Sequence, residues 1–116
     1  MKTFVQILLY FIGGIAIFYV VAAVGLSNYD WNTRERVLRS VERELRPHAS
    51  LNEMKAFMDH HTNGYDFDEN RSALVGFEPQ SRVDKAFADR KVAIHLEMNR
   101  RQQFNEAHIE IYYTFL

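Results

Sequence analysis

The chain has 116 residues, which is enough for one small domain and no more. Its 14 basic and 15 acidic side chains nearly cancel, and this balance argues against a nucleic-acid-binding protein, which normally carries a basic excess. The sequence contains no cysteine, which excludes a disulfide scaffold, a thiolate metal site, a cysteine nucleophile and a lipidated N-terminal cysteine.

The first predicted element is a membrane-spanning helix within residues 1–26. Residues 4–26 form a run of 23 positions without a charged side chain, and Gln6 is the only strongly polar one among them. About 20 apolar helical residues are enough to cross a hydrocarbon core roughly 30 Å thick. We therefore expect residues 1–26 to be a single-pass anchor that contacts the lipid bilayer through residues 4–26.

The alternative for the same segment is a signal peptide that is removed. Met1-Lys2-Thr3 is a plausible basic start, and Ala23-Val24-Gly25 is a tolerable small-residue cleavage site. The apolar region of a signal peptide usually has about 7–15 residues. The longer run in this chain favours a retained signal-anchor.

Residues 27–32 are expected to be a short juxtamembrane linker. Tyr29 and Trp31 suit the headgroup region because each combines an apolar ring with one polar group. Arg34 and Arg36 follow, and they predict contact with anionic headgroups. The alternative is an ordinary solvated helix face, since glutamates are interleaved with the arginines.

The side of the membrane on which the rest of the chain lies is open. The arginines after the apolar run favour a cytoplasmic domain by the positive-inside rule. The interleaved glutamates weaken that argument, and the start of the chain resembles an export signal. We expect an extracytoplasmic domain in a bacterial envelope and keep the cytoplasm as the alternative.

Residues 33–116 are predicted to form a small soluble domain that begins with two helices. Asn32 is expected to cap the first helix, which ends before Pro47. Ser50-Leu51-Asn52-Glu53 has the pattern of a capping box for the second helix, and Gly64 is expected to stop that helix in the left-handed conformation. The predicted apolar stripes are Val37, Leu38, Val41 and Leu45 in the first helix, and Leu51, Met54, Phe57 and Met58 in the second.

Beyond Gly64 the apolar period changes from that of a helix to that of a strand. Three strands are predicted within residues 72–78, 92–98 and 109–115, and the last two form a hairpin through residues 99–106. Residues 66–70 are interpreted as an acidic, solvated loop. Two helices on one face of three antiparallel strands give a two-layer α+β domain.

The predicted hairpin brings two histidines and two glutamates to the polar face of the sheet. Matching its apolar faces places Glu97 opposite His108 and His95 opposite Glu110. Such cross-strand pairs stabilise a sheet by about 0.2–1 kcal/mol each, and histidine also binds zinc and titrates near neutral pH. We expect an ordinary polar face with no metal or other cofactor, and keep these four residues as candidate metal ligands.

His60 and His61 end the second predicted helix. Adjacent helical residues point about 100° apart, so the two imidazoles are not expected to share a metal. Their favourable position at the negative end of a helix is a sufficient explanation for them.

The domain resembles the BamE-like (SmpA/OmlA) fold and uncharacterised bacterial proteins with one anchor and such a domain. The resemblance rests on residues 49–57 (ASLNEMKAF), on Gly64 and on the hairpin of residues 92–115. It implies a non-catalytic interaction module that faces the envelope. The chain departs from the family in having no lipidation cysteine, and it carries His48-Ala49 where the family has a glycine. No functional residue is carried over.

The sequence therefore predicts a single-pass membrane protein that displays a small, non-enzymatic interaction domain. Its expected partner is another membrane or envelope protein, not a nucleic acid, and the expected contact is a sheet edge or the outer face of the hairpin. A membrane-tethered, metal-assisted hydrolase that uses His95, Glu97, His108 and Glu110 is the alternative. A third possibility is an accessory subunit that assembles through its membrane helix.

Overall fold

The computed structural model describes residues 2–85 and 89–114. The chain divides into two compact units, Met1–Thr33 and Arg34–Leu116. Each unit is described by itself below. The C-terminal end of the predicted strand 109–115 lies outside the described residues.

The first unit consists of the N-terminal part of helix α1, which runs from Lys2 to Glu44. α1 is long enough and apolar enough to cross a membrane. Proline is absent between residues 2 and 44, so nothing removes a backbone donor from the helix. Residues 27–32, expected to be a linker, are accordingly helical, and the prediction that Asn32 begins a separate helix is wrong.

The second unit contains the end of α1, helix α2 (Leu51–His61) and a four-stranded antiparallel sheet, so the α+β prediction is confirmed. The strands are β1 (Tyr65–Asp68), β2 (Ala73–Phe77), β3 (Asp89–Met98) and β4 (Phe104–Thr114), in the spatial order β1-β2-β3-β4. A short 3₁₀ helix, Val83–Lys85, precedes β3.

The sheet has one strand more than the sequence predicts. β1 lies where an acidic loop was expected, because Asp66 and Asp68 alternate with Tyr65 and Phe67 and so occupy the opposite face of the strand. Tyr65 packs against the core, and its pairing with Gly76 places β1 at the edge of the sheet. Four residues are too few for the alternation to stand out in the sequence.

The core lies between the two helices and one face of the sheet. It includes six of the eight residues in the predicted helix stripes, together with Leu74 of β2 and alternate residues of β3. Of the other two stripe residues, Leu51 packs against the core while half-buried, and Leu38 is not part of it. Met54, Met58, Ile94 and Leu96 are the largest of its fully buried side chains. The buried core residues are Val37, Val41, Leu45, Ala49, Met54, Phe57, Met58, Leu74, Ile94, Leu96 and Met98.

α2 begins as predicted and ends differently. Ser50 Oγ accepts a hydrogen bond of 3.2 Å from the Glu53 backbone N–H, which confirms the predicted N-cap. At the other end Thr62 is extended, and its N–H and hydroxyl both donate to the Met58 carbonyl. The prediction that Gly64 stops the helix in the left-handed conformation is wrong, because none of the described glycines has a positive φ.

The hairpin of β3 and β4 has a different register from the predicted one. Ile94 lies opposite Ile109 and His95 opposite His108, so the pairing is two residues away from the expected one. The turn is shorter than predicted: Asn99 Oδ1 accepts from the N–H groups of Arg101 and Gln103 at 2.9 and 3.0 Å. A shift of two residues keeps every side chain on its expected face. An irregularity between Glu97 and Met98 accompanies the turn.

Candidate functional site on the outer sheet face

The sheet face opposite the helices, hereafter the outer face, carries most of the charged residues of the sheet. Strand alternation places His95 and Glu97 there, beside Ile94 and Leu96, which belong to the core. The register adds Asp66, Asp68, Glu106, His108 and Glu110 to the same face. With Asp89 on the same face, six carboxylates give the outer face a negative charge that Lys91 and Arg71 offset only in part.

His95 is the most unusual residue of the outer face, because it is only 6% exposed although it does not belong to the core. Neither ring nitrogen has a hydrogen-bond partner among the described residues. Its nearest charged neighbour is Glu110, with Nε2 3.5 Å from Oε2. His95 lines a shallow depression together with Arg71, Glu97, His108 and Glu110, so all four predicted candidate ligands lie in one depression.

Glu110 is held by three neighbours. The Tyr112 hydroxyl donates to Glu110 Oε2, and this hydrogen bond is the main cause that lowers the pKa of Glu110. His95 and Arg71 also lower the pKa of Glu110, and Arg71 Nη1 lies 3.4 Å from Glu110 Oε1. The same hydrogen bond raises the pKa of Tyr112, because ionisation of the phenol would put a second negative charge beside Glu110.

A second group forms where Glu97 lies directly opposite Glu106. His108 Nε2 lies 3.4 Å from Glu97 Oε1 and 3.7 Å from Glu106 Oε2. One ligand atom from each of these three residues lies within 4.8 Å of the others. The predicted pairs Glu97–His108 and His95–Glu110 are therefore close in space, although they are diagonal neighbours and not directly opposed. Glu106 was missed, because the expected turn included it.

Two aromatic rings lie toward the other end of the outer face. Phe77 of β2 and Tyr112 of β4 are 43% and 46% exposed, and their ring centroids are 6.4 Å apart. Ala93, which pairs with Phe77 across β2 and β3, is fully buried. A small residue on the central strand is what allows rings from two non-adjacent strands to approach each other.

The two histidines at the end of α2 are closer than expected. The rings of His60 and His61 meet edge to face with centroids 4.7 Å apart, and His61 Nε2 forms an ion pair with Glu44 Oε2. One ligand atom from each of Glu44, His60 and His61 lies within 4.8 Å of the others. The expectation that the two imidazoles point too far apart is wrong. His61 also packs on Phe57 at 4.3 Å, which gives it a structural role.

The residues predicted to lie at the membrane surface are accessible. Trp31 is 63% and Tyr29 is 38% exposed, and Arg34 and Arg36 are exposed as well. Arg36 donates to both carboxylate oxygens of Glu78 at 3.0 and 3.1 Å, so this arginine has a partner within its own unit. Contact of these four residues with headgroups stays a prediction.

Comparisons of the chain with protein-family models, with curated proteins and with solved structures find no match. The resemblance to BamE-like domains therefore rests on the sequence pattern alone.

Proposed function

We propose that this chain is a membrane-anchored, non-enzymatic interaction protein whose outer sheet face binds a basic segment of another membrane or envelope protein. The observation that carries this proposal is the outer face itself, where two exposed aromatic rings share one sheet face with several carboxylates and Tyr112 donates to one of them, Glu110. Aromatic residues are enriched in the centres of protein interfaces. Complementary charge guides partners to such a face and selects among them.

The apolar residues of the first unit support the anchor. Their side chains are exposed along α1, with Phe4, Tyr10 and Phe18 at 71%, 82% and 70%. An exposed apolar surface of this length is stable when lipid covers it. Carbonate washing of membranes that contain the full chain is expected to leave it in the membrane fraction. Intact mass then separates a retained anchor from a cleaved signal peptide.

The identity of the partner is argued from charge. Asp66, Asp68, Glu97, Glu106 and Glu110 share the outer face. Arg71 and Lys91 each pair with an acidic residue, at 3.4 and 3.7 Å. A partner segment that supplies lysine or arginine around one apolar residue would neutralise the remaining carboxylates and cover Phe77 and Tyr112.

Site-specific photo-crosslinking of the full chain in its native membrane tests this proposal. A photoreactive phenylalanine at position 77 or 112 is expected to give one discrete adduct, whose mass identifies the partner. Lys55, exposed on α2, is the matched control position and is expected to give none. Asp66→Lys with Asp68→Lys is expected to reduce the adduct at position 112. Equal yields of the crosslinked adduct at positions 55 and 112, or no adduct at either position, would contradict the proposal that the outer face binds the partner.

Protease protection tests the expected location. We expect the sheet domain to be digested once the outer barrier alone is opened, which corresponds to an extracytoplasmic domain. Digestion only after the inner membrane is breached would place the domain in the cytoplasm and would remove the argument for an envelope partner.

A further inference from the structure

Glu97 and Glu106 form an unfavourable pair in the structure. They lie directly opposite each other on β3 and β4, where like charges destabilise a sheet. Among residues 2–85 and 89–114, His108 is the only basic side chain within ion-pair distance of either carboxylate. One imidazole at 3.4 and 3.7 Å is the compensation that these two carboxylates share. The arrangement therefore favours an additional cation.

The spacing of these three side chains fits a small metal ion. Bonds of about 2.0–2.1 Å to nitrogen and oxygen in a tetrahedral site place neighbouring ligand atoms about 3.4 Å apart. The distances from His108 Nε2 to the Glu97 and Glu106 oxygens are 3.4 and 3.7 Å. These two distances differ from that spacing by at most a few tenths of an ångström, and all three ligand atoms lie within 4.8 Å of one another.

His95 is an independent observation that points to a ligand at the same place. It lies opposite His108 across β3 and β4 and lines the same depression as Glu97 and His108. Both of its ring nitrogens are buried without a hydrogen bond, which is unfavourable for a polar group removed from water. Metal coordination through one nitrogen would satisfy that atom. The other would then face a carboxylate, as is common for histidine ligands, and Glu110 is available for this role.

We propose that the outer face binds one transition-metal ion of the Zn²⁺ type, with Glu97, Glu106 and His108 as ligands and His95 as the fourth. Two imidazoles among four ligands favour Zn²⁺ over Ca²⁺ or Mg²⁺, which take oxygen ligands. Arg71 lies in the same depression, but its guanidinium is directed to Glu110 at 3.4 Å. The ion would bridge β3 and β4 and cancel the repulsion between their glutamates. This site goes beyond the proposed interaction function.

The test is calorimetric titration of Zn²⁺ into the chelator-treated full chain in detergent, purified without a histidine tag. We expect one ion per chain, and a loss of affinity of at least tenfold in both His108→Ala and Glu106→Gln. His108 and Glu106 side chains are 47% and 60% exposed, so both variants are expected to fold, as circular dichroism will show. His60→Ala is the matched control, because it alters the other histidine–glutamate group and is expected to leave this binding unchanged.

Two spectroscopic measurements test the ligand set. Co²⁺ in place of Zn²⁺ is expected to give the intense visible absorption of a four-coordinate site. The ring nitrogens of His95 and His108 are expected to shift together in NMR spectra on addition of Zn²⁺. A shift at His108 alone would overturn the assignment of His95 as the fourth ligand.

Three results would overturn the metal site itself. These are no Zn²⁺ bound, Zn²⁺ binding lost in His60→Ala but kept in His108→Ala, and Ca²⁺ binding as tightly as Zn²⁺. None of them bears on the crosslinking at Phe77 and Tyr112, so the interaction function and the metal site can fail separately.

Discussion

Gly76 is the position where one added methyl group has the clearest expected effect. A Cβ there would lie 2.8 Å from the Gly64 carbonyl oxygen and 2.9 Å from Met58 Cε. The flexible Met58 side chain can move aside. The Gly64 carbonyl belongs to the backbone between α2 and β1, so relieving that contact requires the backbone to shift. We expect Gly76→Ala to destabilise the domain by about 1–3 kcal/mol. For a domain of this size each kcal/mol lowers Tm by about 4–8 °C.

Thermal unfolding of the full chain in mild detergent measures this effect. Gly64→Ala is the matched control, since a Cβ at Gly64 meets open space and its φ is not positive. Equal Tm values for the two variants would show that Gly64 and Gly76 do not approach each other as described.

Asp84 and Arg90 form a buried ion pair, with Arg90 Nη1 donating to Asp84 Oδ1 at 2.6 Å and side-chain exposures of 5% and 9%. Burial raises the pKa of Asp84. The hydrogen bonds from the Ser81 N–H and from Arg90 outweigh burial, so the pKa lies below its ordinary value of 3.8. The stabilisation that depends on ionised Asp84 is therefore present above pH 3.8 and is lost as the pH falls through the folded-state pKa.

We expect Asp84→Asn to lower the free energy of unfolding by about 1.5–3 kcal/mol at neutral pH, because it removes the charge-assisted hydrogen bond between Asp84 and the buried Arg90 guanidinium. The difference in free energy of unfolding between this variant and the unmodified chain should become smaller below pH 3.8, because protonation of Asp84 progressively breaks the ion pair in the unmodified chain as well. Urea unfolding at several pH values measures this, with Asp59→Asn on the exposed face of α2 as the control. A difference that persists unchanged at low pH would contradict the assigned role of Asp84.

At the scale of elements, the sequence predicts best where one local rule acts alone. The N-cap at Ser50 and the apolar stripe of α2 are local patterns, and both are confirmed. Prediction failed where the outcome depends on tertiary contacts. The extended backbone at Thr62 ends α2, and the carbonyl of Gly64 lies close to Gly76 on another strand. Neither effect is encoded in the residues around position 64 alone.

The β3–β4 register shows how the candidate site was only partly predictable. Alternation assigned the correct face to His95, Glu97, His108 and Glu110, since the period of a strand is two. It did not fix which residues face each other, because a shift by two residues preserves the pattern. The turn decided the register through the side chain of Asn99. Glu106 joined the site as a result.

Asn99→Ala is expected to destabilise the hairpin by about 1–2 kcal/mol. The change removes the acceptor for the Arg101 and Gln103 N–H groups, and each lost hydrogen bond is worth about 0.5–1.5 kcal/mol. Thermal unfolding compares this variant with Arg100→Ala, an exposed position of the same turn. Equal Tm values for the two variants would show that the Asn99 side chain does not stabilise the turn.

β4 is expected to be essential for the domain. Phe104, Ala107 and Ile109 pack against the buried core, and the Phe104 N–H donates to the Ala49 carbonyl at 2.8 Å. A chain that ends at Asn99 would expose this side of β3, so we expect it to lose cooperative unfolding altogether. A native melting transition in the truncated chain would contradict the described sheet order.

At the scale of the whole molecule, the roles of the two units are separable by experiment. If the sheet domain carries the interaction, replacing residues 4–26 by an unrelated apolar span should leave crosslinking at Tyr112 unchanged. An accessory subunit that assembles through its membrane helix would lose the adduct instead. The yield of the adduct in membranes that contain equal amounts of the two chains decides between these outcomes.

The strand order β1-β2-β3-β4 has a consequence for the speed of folding. Each strand pairs with its neighbour in sequence, through connections of residues 69–72, 78–88 and 99–103. The entropy lost on closing a loop rises only with the logarithm of its length, and chains dominated by short-range contacts fold fastest. The β3–β4 hairpin, with the longest ladder and a short turn, is the natural nucleus. Because β4 follows both helices and the other three strands in chain order, this nucleus can form only after all of them have been synthesised.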